Sequence, residues 1–147
     1  HGVTVSFFDP FVDGQDLDVS VTKVTWPHSL THNDVVVFTA PLTSDTYHMF
    51  NDNVLELLKP GIKLVNVGRG QLVSQKSLAK AFRQNLVSGA ALDVFENEPI
   101  RLDASHDLYD FAGEIIFGSH NGSNTHEAVH NVSTICINRL REFLDGK

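Results

Sequence analysis

The segment from Lys63 to Pro99 constrains the fold of this chain more than any other stretch. It begins with an apolar run, KLVNV, turns at Gly68-Arg69-Gly70, and continues through residues with helical spacing to a second apolar run, GAALDVF. Several carboxylates follow that second run. A buried strand, a helix and another buried strand predict one unit of a parallel α/β sheet.

The same alternation extends along the chain. Apolar runs predict strands at residues 3–8, 34–40, 63–67, 89–95 and 114–120, with a short edge strand over 19–26. Helical patterns occur at 29–32, after Asn51 over VLELL, at 74–84 and at 125–146. We therefore predict the α/β fold class, with a doubly wound parallel sheet.

Caps and spacing predict further details of these helices. Candidate N-caps are Ser29, Asn51 and Ser74. Two helices have inward-facing residues at helical spacing: Val54, Leu57 and Leu58 in one, and Leu78, Ala81 and Phe82 in the next. The last helix carries an apolar stripe that we expect to pack on the sheet. Its members are Val129, Val132, Ile135, Cys136, Leu140 and Phe143.

Polar residues follow the predicted strands, and ligands of open parallel sheets bind beyond the carboxyl ends of the strands. We expect one crevice to be faced by Arg69, Asp93, Glu96 and Glu98. An arginine opposite carboxylates can hold a carboxylate substrate and tune a proton donor. His120 ends the fifth strand, and a histidine with an acid in reach on such a rim is typical of an acid/base pair. The alternative is a structural strand-end histidine.

Two other rim features each allow two interpretations. Asp9 could accept hydrogen bonds from both hydroxyls of an adenosine ribose, or it could be a turn aspartate before Pro10. The Gly68-Arg69-Gly70 corner is not the dinucleotide glycine fingerprint, because Val73 occupies the position of the third glycine. We expect its glycines to let the backbone approach a flat ring, the alternative being a surface arginine in a tight turn.

Composition excludes several classes of function. The formal charge of −7 argues against nucleic-acid binding, and no apolar run reaches the length of a membrane span. A single cysteine, Cys136, and the lack of a signal-peptide pattern favour a reducing cytoplasm. The 147 residues suffice for one domain, yet the chain begins at His1 inside an apparent strand, so we expect a piece of a longer protein.

Five motifs resemble, in order and spacing, the NAD-binding domain of the D-2-hydroxyacid dehydrogenases, which include phosphoglycerate dehydrogenases. The motifs are FFDP, APLTSDT, LLKPGIKLVNVGRGQLV, GAALDVFENEP and SHNGSNTHEA. The resemblance implies a Rossmann-like fold, NAD as cofactor, and hydride transfer to or from a small D-2-hydroxy acid or 2-keto acid. It also makes a homodimer a candidate assembly, because the family often dimerises through this domain.

The resemblance implies roles by position. Arg69 corresponds to the arginine that holds the substrate carboxylate and polarises its carbonyl. His120 corresponds to the general acid/base, and Glu98 to the acid that pairs with it and favours its protonated form. Asp93 corresponds to the residue that holds the nicotinamide carboxamide, and Asp9 to the ribose-binding acid that favours NAD over NADP. The other positions implied to line the cofactor cleft, besides Arg69 and His120, are Ala40, Pro41, Thr46, Val67, Gly68 and Gly122.

The chain also departs from the family pattern. Ser119 and Asn121 flank His120 where the family commonly has proline and an apolar residue, and Glu96 receives no role beyond that of a solvated loop acid. The G-x-G-x-x-G segment and the substrate-binding domain have no counterpart, so residues 1–147 correspond to a partial NAD-binding domain without its first β-α unit. The missing strand belongs between strands 3–8 and 34–40. We therefore expect the isolated chain neither to bind NAD tightly nor to turn over.

Two other classes of function remain open. His126-Glu127-Ala128-Val129-His130 matches the H-E-x-x-H pattern of zinc metalloproteases. No histidine follows it, and the only later glutamate, Glu142, lies on the same predicted helix, so we expect no metal. The third class is a catalytically inactive, dehydrogenase-like fragment or binding module.

Overall fold

The computed structural model describes residues 2–13 and 21–146. Its strands are β1 (Ser6–Phe7), β2 (Thr22–Lys23), β3 (Val35–Phe38), β4 (Ile62–Asn66), β5 (Val87–Leu92) and β6 (Ile115–Phe117). Its helices are α1 (Gln75–Arg83) and α2 (His126–Leu144). Short 3-10 helices span His28–Thr31, Asp52–Leu57, Gly70–Leu72 and Tyr109–Glu114. The first two positions of the predicted edge strand 19–26 lie outside the described residues.

The main sheet is parallel and has the order β3-β4-β5-β6. The central strands β4 and β5 pair in parallel, with Leu64 opposite Ala90, and the crossover connection between them contains α1. This arrangement confirms the predicted α/β fold. β1 and β2 form a separate parallel pair. Within residues 2–13 and 21–146, the outer edge of β3 has no partner strand, and Val35 and Val37 on it are about half exposed.

The core lies between the main sheet, α1 and the 3-10 helix at Asp52–Leu57. The predicted inward face of α1 is confirmed, since Leu78, Ala81 and Phe82 are all buried. Ser74 caps this helix as predicted, its hydroxyl accepting a hydrogen bond from the Ser77 amide. Burial of such a face is the main stabilising contribution of a short helix.

Two local predictions are wrong in detail. Ser29 is not an N-cap, because the turn begins after Pro27, places Ser29 inside it and has no side-chain cap. Asn51 does cap the next helix, but that helix is a 3-10 helix ending at Leu57. Leu57 itself is only half-buried, and the residues that face inward there are Val54, Leu55 and Leu58.

The prediction that α2 packs on the sheet is wrong. The cap at Thr125 forms, yet every residue of α2 except the half-buried Ala128 is exposed in the described structure. Val132 is 60% exposed and Phe143 is 79% exposed. Apolar periodicity indicates that a helix has a face to bury, but it does not identify what covers that face. Within the described residues, no helix has the length and apolarity that crossing a membrane requires.

Candidate active site

His120 and Glu98 form a close pair beyond the carboxyl ends of β6 and β5. His120 Nδ1 lies 2.6 Å from Glu98 Oε2, and the second carboxylate oxygen accepts a hydrogen bond from the Phe95 amide at 2.9 Å. The hydrogen bond from His120, assisted by that from Phe95, lowers the pKa of Glu98 below its ordinary value. A carboxylate held ionised can only accept, so His120 Nδ1 carries the donated proton. The predicted pairing of these two residues is therefore present.

Asp93 organises the loop that carries His120. Its carboxylate oxygens accept hydrogen bonds from the amides of Asn121, at 3.2 Å, and Gly122, at 2.9 Å. Its carbonyl accepts another from the His120 amide at 2.8 Å. These bonds hold His120 at a φ of +55°, a left-handed conformation that few non-glycine residues adopt. A backbone outlier fixed in this way is typical of functional sites.

A buried asparagine shapes the Gly68-Arg69-Gly70 corner. Asn66, the last residue of β4, is only 1% exposed. Its side chain accepts a hydrogen bond from the Gly68 amide at 3.1 Å and donates one to the Arg69 carbonyl at 2.9 Å. Arg69 is exposed, and one guanidinium nitrogen donates to the Gly68 carbonyl at 2.7 Å. Sequence reasoning missed Asn66, although a lone polar residue in an apolar strand signals such a role.

The two glycines of the corner are needed for packing against other segments of the protein, and the predicted approach to a flat ring stays a prediction. A Cβ at Gly70 would overlap the backbone of Phe95 and Glu96. A Cβ at Gly68 would lie 2.8 Å from Leu72 Cδ1 and 3.0 Å from the Ala40 carbonyl oxygen. The glycines thus let the corner pack against neighbouring protein segments, so the interpretation based on a ring is not needed to explain them.

The loop after β3 is closed by hydroxyl groups. Thr46 Oγ1 donates to the Pro41 carbonyl at 2.7 Å and accepts from the Thr43 amide at 2.8 Å. Ala40 at its start is half-buried, and Val67, immediately after β4, is 49% exposed. These predicted cofactor-lining residues therefore lie at the carboxyl-end rim of the sheet.

Asp9 follows β1 and makes a turn. Its Oδ1 accepts a hydrogen bond from the Phe11 amide at 2.8 Å. This contact is the turn role that the sequence allowed for Asp9 beside a ribose-binding role. Oδ2 has no hydrogen-bond partner among residues 2–13 and 21–146. The turn role and a ligand role are compatible, because they use different oxygens.

The expectation of a solvated Glu96 is wrong. One carboxylate oxygen lies 3.1 Å from His48 Nε2, and the side chain is only 22% exposed. The other oxygen accepts a hydrogen bond from the amide of Gln75, the first residue of α1. Sequence reasoning missed both contacts, because His48 is far away in sequence and carries no motif.

The zinc alternative gains no support from the site geometry. His126 and His130 are exposed on α2. Across the part of the chain that the structure describes, no three His, Cys, Asp or Glu side chains are grouped so that they could hold a metal. A catalytic zinc site needs three protein ligands, which this helix does not supply.

Comparison with known proteins places these features in one family. Residues 1–122 match the family described as "D-isomer specific 2-hydroxyacid dehydrogenase, NAD binding domain". The glyoxylate reductase of Thermococcus onnurineus is 37% identical over 118 residues, which cover 80% of this chain and 34% of that protein. The D-3-phosphoglycerate dehydrogenase of Bacillus subtilis is 32% identical over 146 residues, covering 99% of this chain and 27% of that one.

Solved structures show the same fold. The D-lactate dehydrogenase of Aquifex aeolicus, complexed with NAD and lactic acid, superposes with a TM-score of 0.80 at 24% identity. The match covers 99% of this chain and 47% of that one. The chain therefore spans less than half the length of the relatives that it matches.

Proposed function

Because the chain belongs to the D-isomer specific 2-hydroxyacid dehydrogenase family, matching its NAD-binding domain, we propose that the whole protein interconverts a D-2-hydroxy acid and its 2-keto acid with NAD. When bound, NAD supplies or accepts the hydride. The proton that accompanies the hydride needs a separate donor and acceptor on the protein.

The contact of 2.6 Å between His120 Nδ1 and Glu98 Oε2 is the observation that carries this proposal. Because Nδ1 is engaged by Glu98, Nε2 is the ring nitrogen left to exchange a proton with the substrate oxygen. In reduction, Nε2 donates a proton to the developing alkoxide, and in oxidation it removes the hydroxyl proton. Glu98 orients the ring and stabilises its positive charge.

Arg69 is proposed to hold the substrate carboxylate. Its guanidinium is exposed at the sheet rim and uses one nitrogen on the Gly68 carbonyl. The remaining N–H groups can form the paired hydrogen bonds by which arginine recognises carboxylates. The Asn66 side chain accepts from the Gly68 amide and donates to the Arg69 carbonyl, which fixes the backbone that carries this guanidinium. An arginine anchored in this way can also polarise the adjacent carbonyl.

The rim residues fit part of an NAD molecule. The carboxylate of Asp93 retains lone pairs beyond the two amides it binds, so it can accept a hydrogen bond from the nicotinamide carboxamide. Oδ2 of Asp9 could accept a hydrogen bond from a ribose hydroxyl, and the charge of Asp9 would repel a 2′-phosphate. Val67 offers an exposed apolar surface beside Gly68. The sequence contains no G-x-G-x-x-G loop for the pyrophosphate.

The experiment is steady-state turnover by the full-length protein with NAD and a panel of D- and L-2-hydroxy acids. The proposal expects oxidation of D-isomers only, and a large loss of kcat in His120→Gln. A wild-type protein that binds NAD but oxidises none of the acids would instead favour the alternative of an inactive binding module. The zinc alternative is not proposed. The homodimer and the cytoplasmic location stay predictions.

A further inference from the structure

Glu96 connects several segments of the site that are far apart in sequence. Its Oε2 lies 3.1 Å from His48 Nε2, and its Oε1 accepts a hydrogen bond of 2.5 Å from the Gln75 amide. Its backbone carbonyl accepts a third, of 2.9 Å, from Gln71 Nε2. Both side-chain oxygens and the carbonyl are thus engaged.

The contact with Gln71 links Glu96 to the Arg69 corner. Gln71 lies two residues after Arg69, in the 3-10 helix at Gly70–Leu72. The Gln71 carbonyl accepts a hydrogen bond from the His48 amide at 2.7 Å, so His48, Glu96 and Gln71 form a closed ring of contacts. The backbone at Gly70 also packs so closely on Phe95 and Glu96 that a Cβ would not fit. A displacement of Glu96 would therefore move the corner that carries Arg69.

The contact with His48 links Glu96 to the loop after β3. His48 has a φ of +48°, and its ring stacks on Tyr47 with centroids 4.1 Å apart. Its carbonyl accepts a hydrogen bond from Asn51 at 2.8 Å. Thr46, which closes the loop proposed to line the cofactor, lies two residues before it. The contact between His48 and Glu96 therefore fixes the end of that loop.

Glu96 also lies inside the turn that presents Glu98. The Phe95 amide, on one side of Glu96, donates to Glu98 Oε1 at 2.9 Å. The other carboxylate oxygen of this residue, Glu98 Oε2, lies within hydrogen-bond distance of His120 Nδ1. Anchoring Glu96 on α1 and His48 thus fixes the turn from which Glu98 reaches His120.

We propose that Glu96, through His48 and Gln71, is a positioning residue that sets the Arg69 corner and the Glu98 turn relative to each other. This role rests on the proposed dehydrogenase function. Residues that orient metal ligands from behind change activity by about 10- to 100-fold when they are removed, and we expect an effect of the same order for Glu96. A misplacement of about 1 Å has a comparable effect on a reaction that depends on orientation.

The test compares full-length variants in steady-state kinetics with NAD and a D-2-hydroxy acid that the wild type oxidises. Glu96→Ala should lower kcat/KM by about 10- to 100-fold, with a rise in KM for the hydroxy acid as Arg69 moves. Glu96→Gln keeps an acceptor for the Gln75 amide, so it should fold even if the alanine variant does not. It should lose less activity, and His48→Gln should resemble it.

The matched control is Asp52→Asn, which breaks a more exposed ion pair between Asp52 and Lys80 of α1, at 2.9 Å. It should leave both kcat and KM unchanged. A merely structural role for Glu96 would reduce the amount of active enzyme, and so kcat, without raising KM for the hydroxy acid. That result, or Glu96→Ala and Glu96→Gln within twofold of an active wild type, would overturn this assignment alone. A wild type without turnover would overturn the proposed function and this role with it.

Discussion

His120 Nδ1 lies 2.6 Å from Oε2 of Glu98, although 22 residues separate the two positions in the chain. The pair forms because β5 and β6 are parallel neighbours whose carboxyl ends meet at one edge of the sheet. Four further hydrogen bonds surround the pair, and backbone amides donate all of them: Phe95 to Glu98, and His120, Asn121 and Gly122 to Asp93.

Replacement of His120 should change the titration of Glu98. The hydrogen bond from His120 is the largest cause of the lowered pKa of Glu98, so His120→Ala should raise that pKa toward the ordinary value of 4.5. Because the folded-state pKa lies below the unfolded one, ionised Glu98 stabilises the fold above about pH 4.5, and this contribution is lost as pH falls through the folded pKa. Carbon-detected NMR of the Glu98 carboxyl group measures the shift. An identical titration in both proteins would contradict the observed contact.

Removal of the Asn66 side chain should destabilise the Arg69 corner. Asn66→Ala leaves the buried Gly68 amide and the Arg69 carbonyl without their partners, so the free energy of unfolding should fall by about 2–3 kcal/mol. Denaturant unfolding of the chain measures it. The control Asn53→Ala alters an exposed asparagine and should change stability by less than about 0.5 kcal/mol. Equal effects of the two substitutions would count against the role given to Asn66.

Two leucine substitutions, one in the buried helix α1 and one in the exposed helix α2, should differ in their effect on stability. Leu78 of α1 is fully buried, so Leu78→Ala should lower the free energy of unfolding by about 2–5 kcal/mol. Leu140 of α2 is 57% exposed, and Leu140→Ala in the same chain should cost less than about 0.5 kcal/mol. Thermal or urea unfolding of both variants gives the comparison. A large cost at Leu140 would mean that α2 packs on the rest of the chain in solution.

The isolated chain should bind NAD weakly. Asp9 and Asp93 are proposed to bind the two ends of the cofactor, but the sequence has no G-x-G-x-x-G loop for the pyrophosphate. Calorimetric titration of the 147-residue chain with NAD should show no saturation in the micromolar range. A micromolar Kd would show that this chain alone forms a sufficient cofactor site.

Much of this arrangement was predictable from local pattern. Apolar runs bounded by breakers located the strands of the main sheet, and the rule that ligands bind at carboxyl ends brought Glu98 and His120 to one edge. Ser74 was recognisable as a cap because a hydroxyl there precedes an amphipathic run. These features depend on interactions between residues close in sequence or on the regular geometry of a parallel sheet.

The features that could not be predicted depend on contacts between distant segments. The pairing of Glu96 with His48 and the packing of Gly70 on the turn at Phe95 arise from tertiary placement alone. Burial of the α2 stripe was expected from its periodicity, yet the described chain provides no surface that covers it. Asn66 was overlooked because the apolar character of its strand dominated the interpretation of that segment.

If His120 and Glu98 form the proton relay of a D-2-hydroxyacid dehydrogenase, kcat of the full-length protein depends on both side chains. With NAD and a D-2-hydroxy acid that the wild type oxidises, His120→Gln should lower kcat by about 100- to 10,000-fold while NAD binding is retained. Glu98→Gln should have a smaller effect in the same direction. A His120→Gln variant that turns over at the wild-type rate would contradict the account.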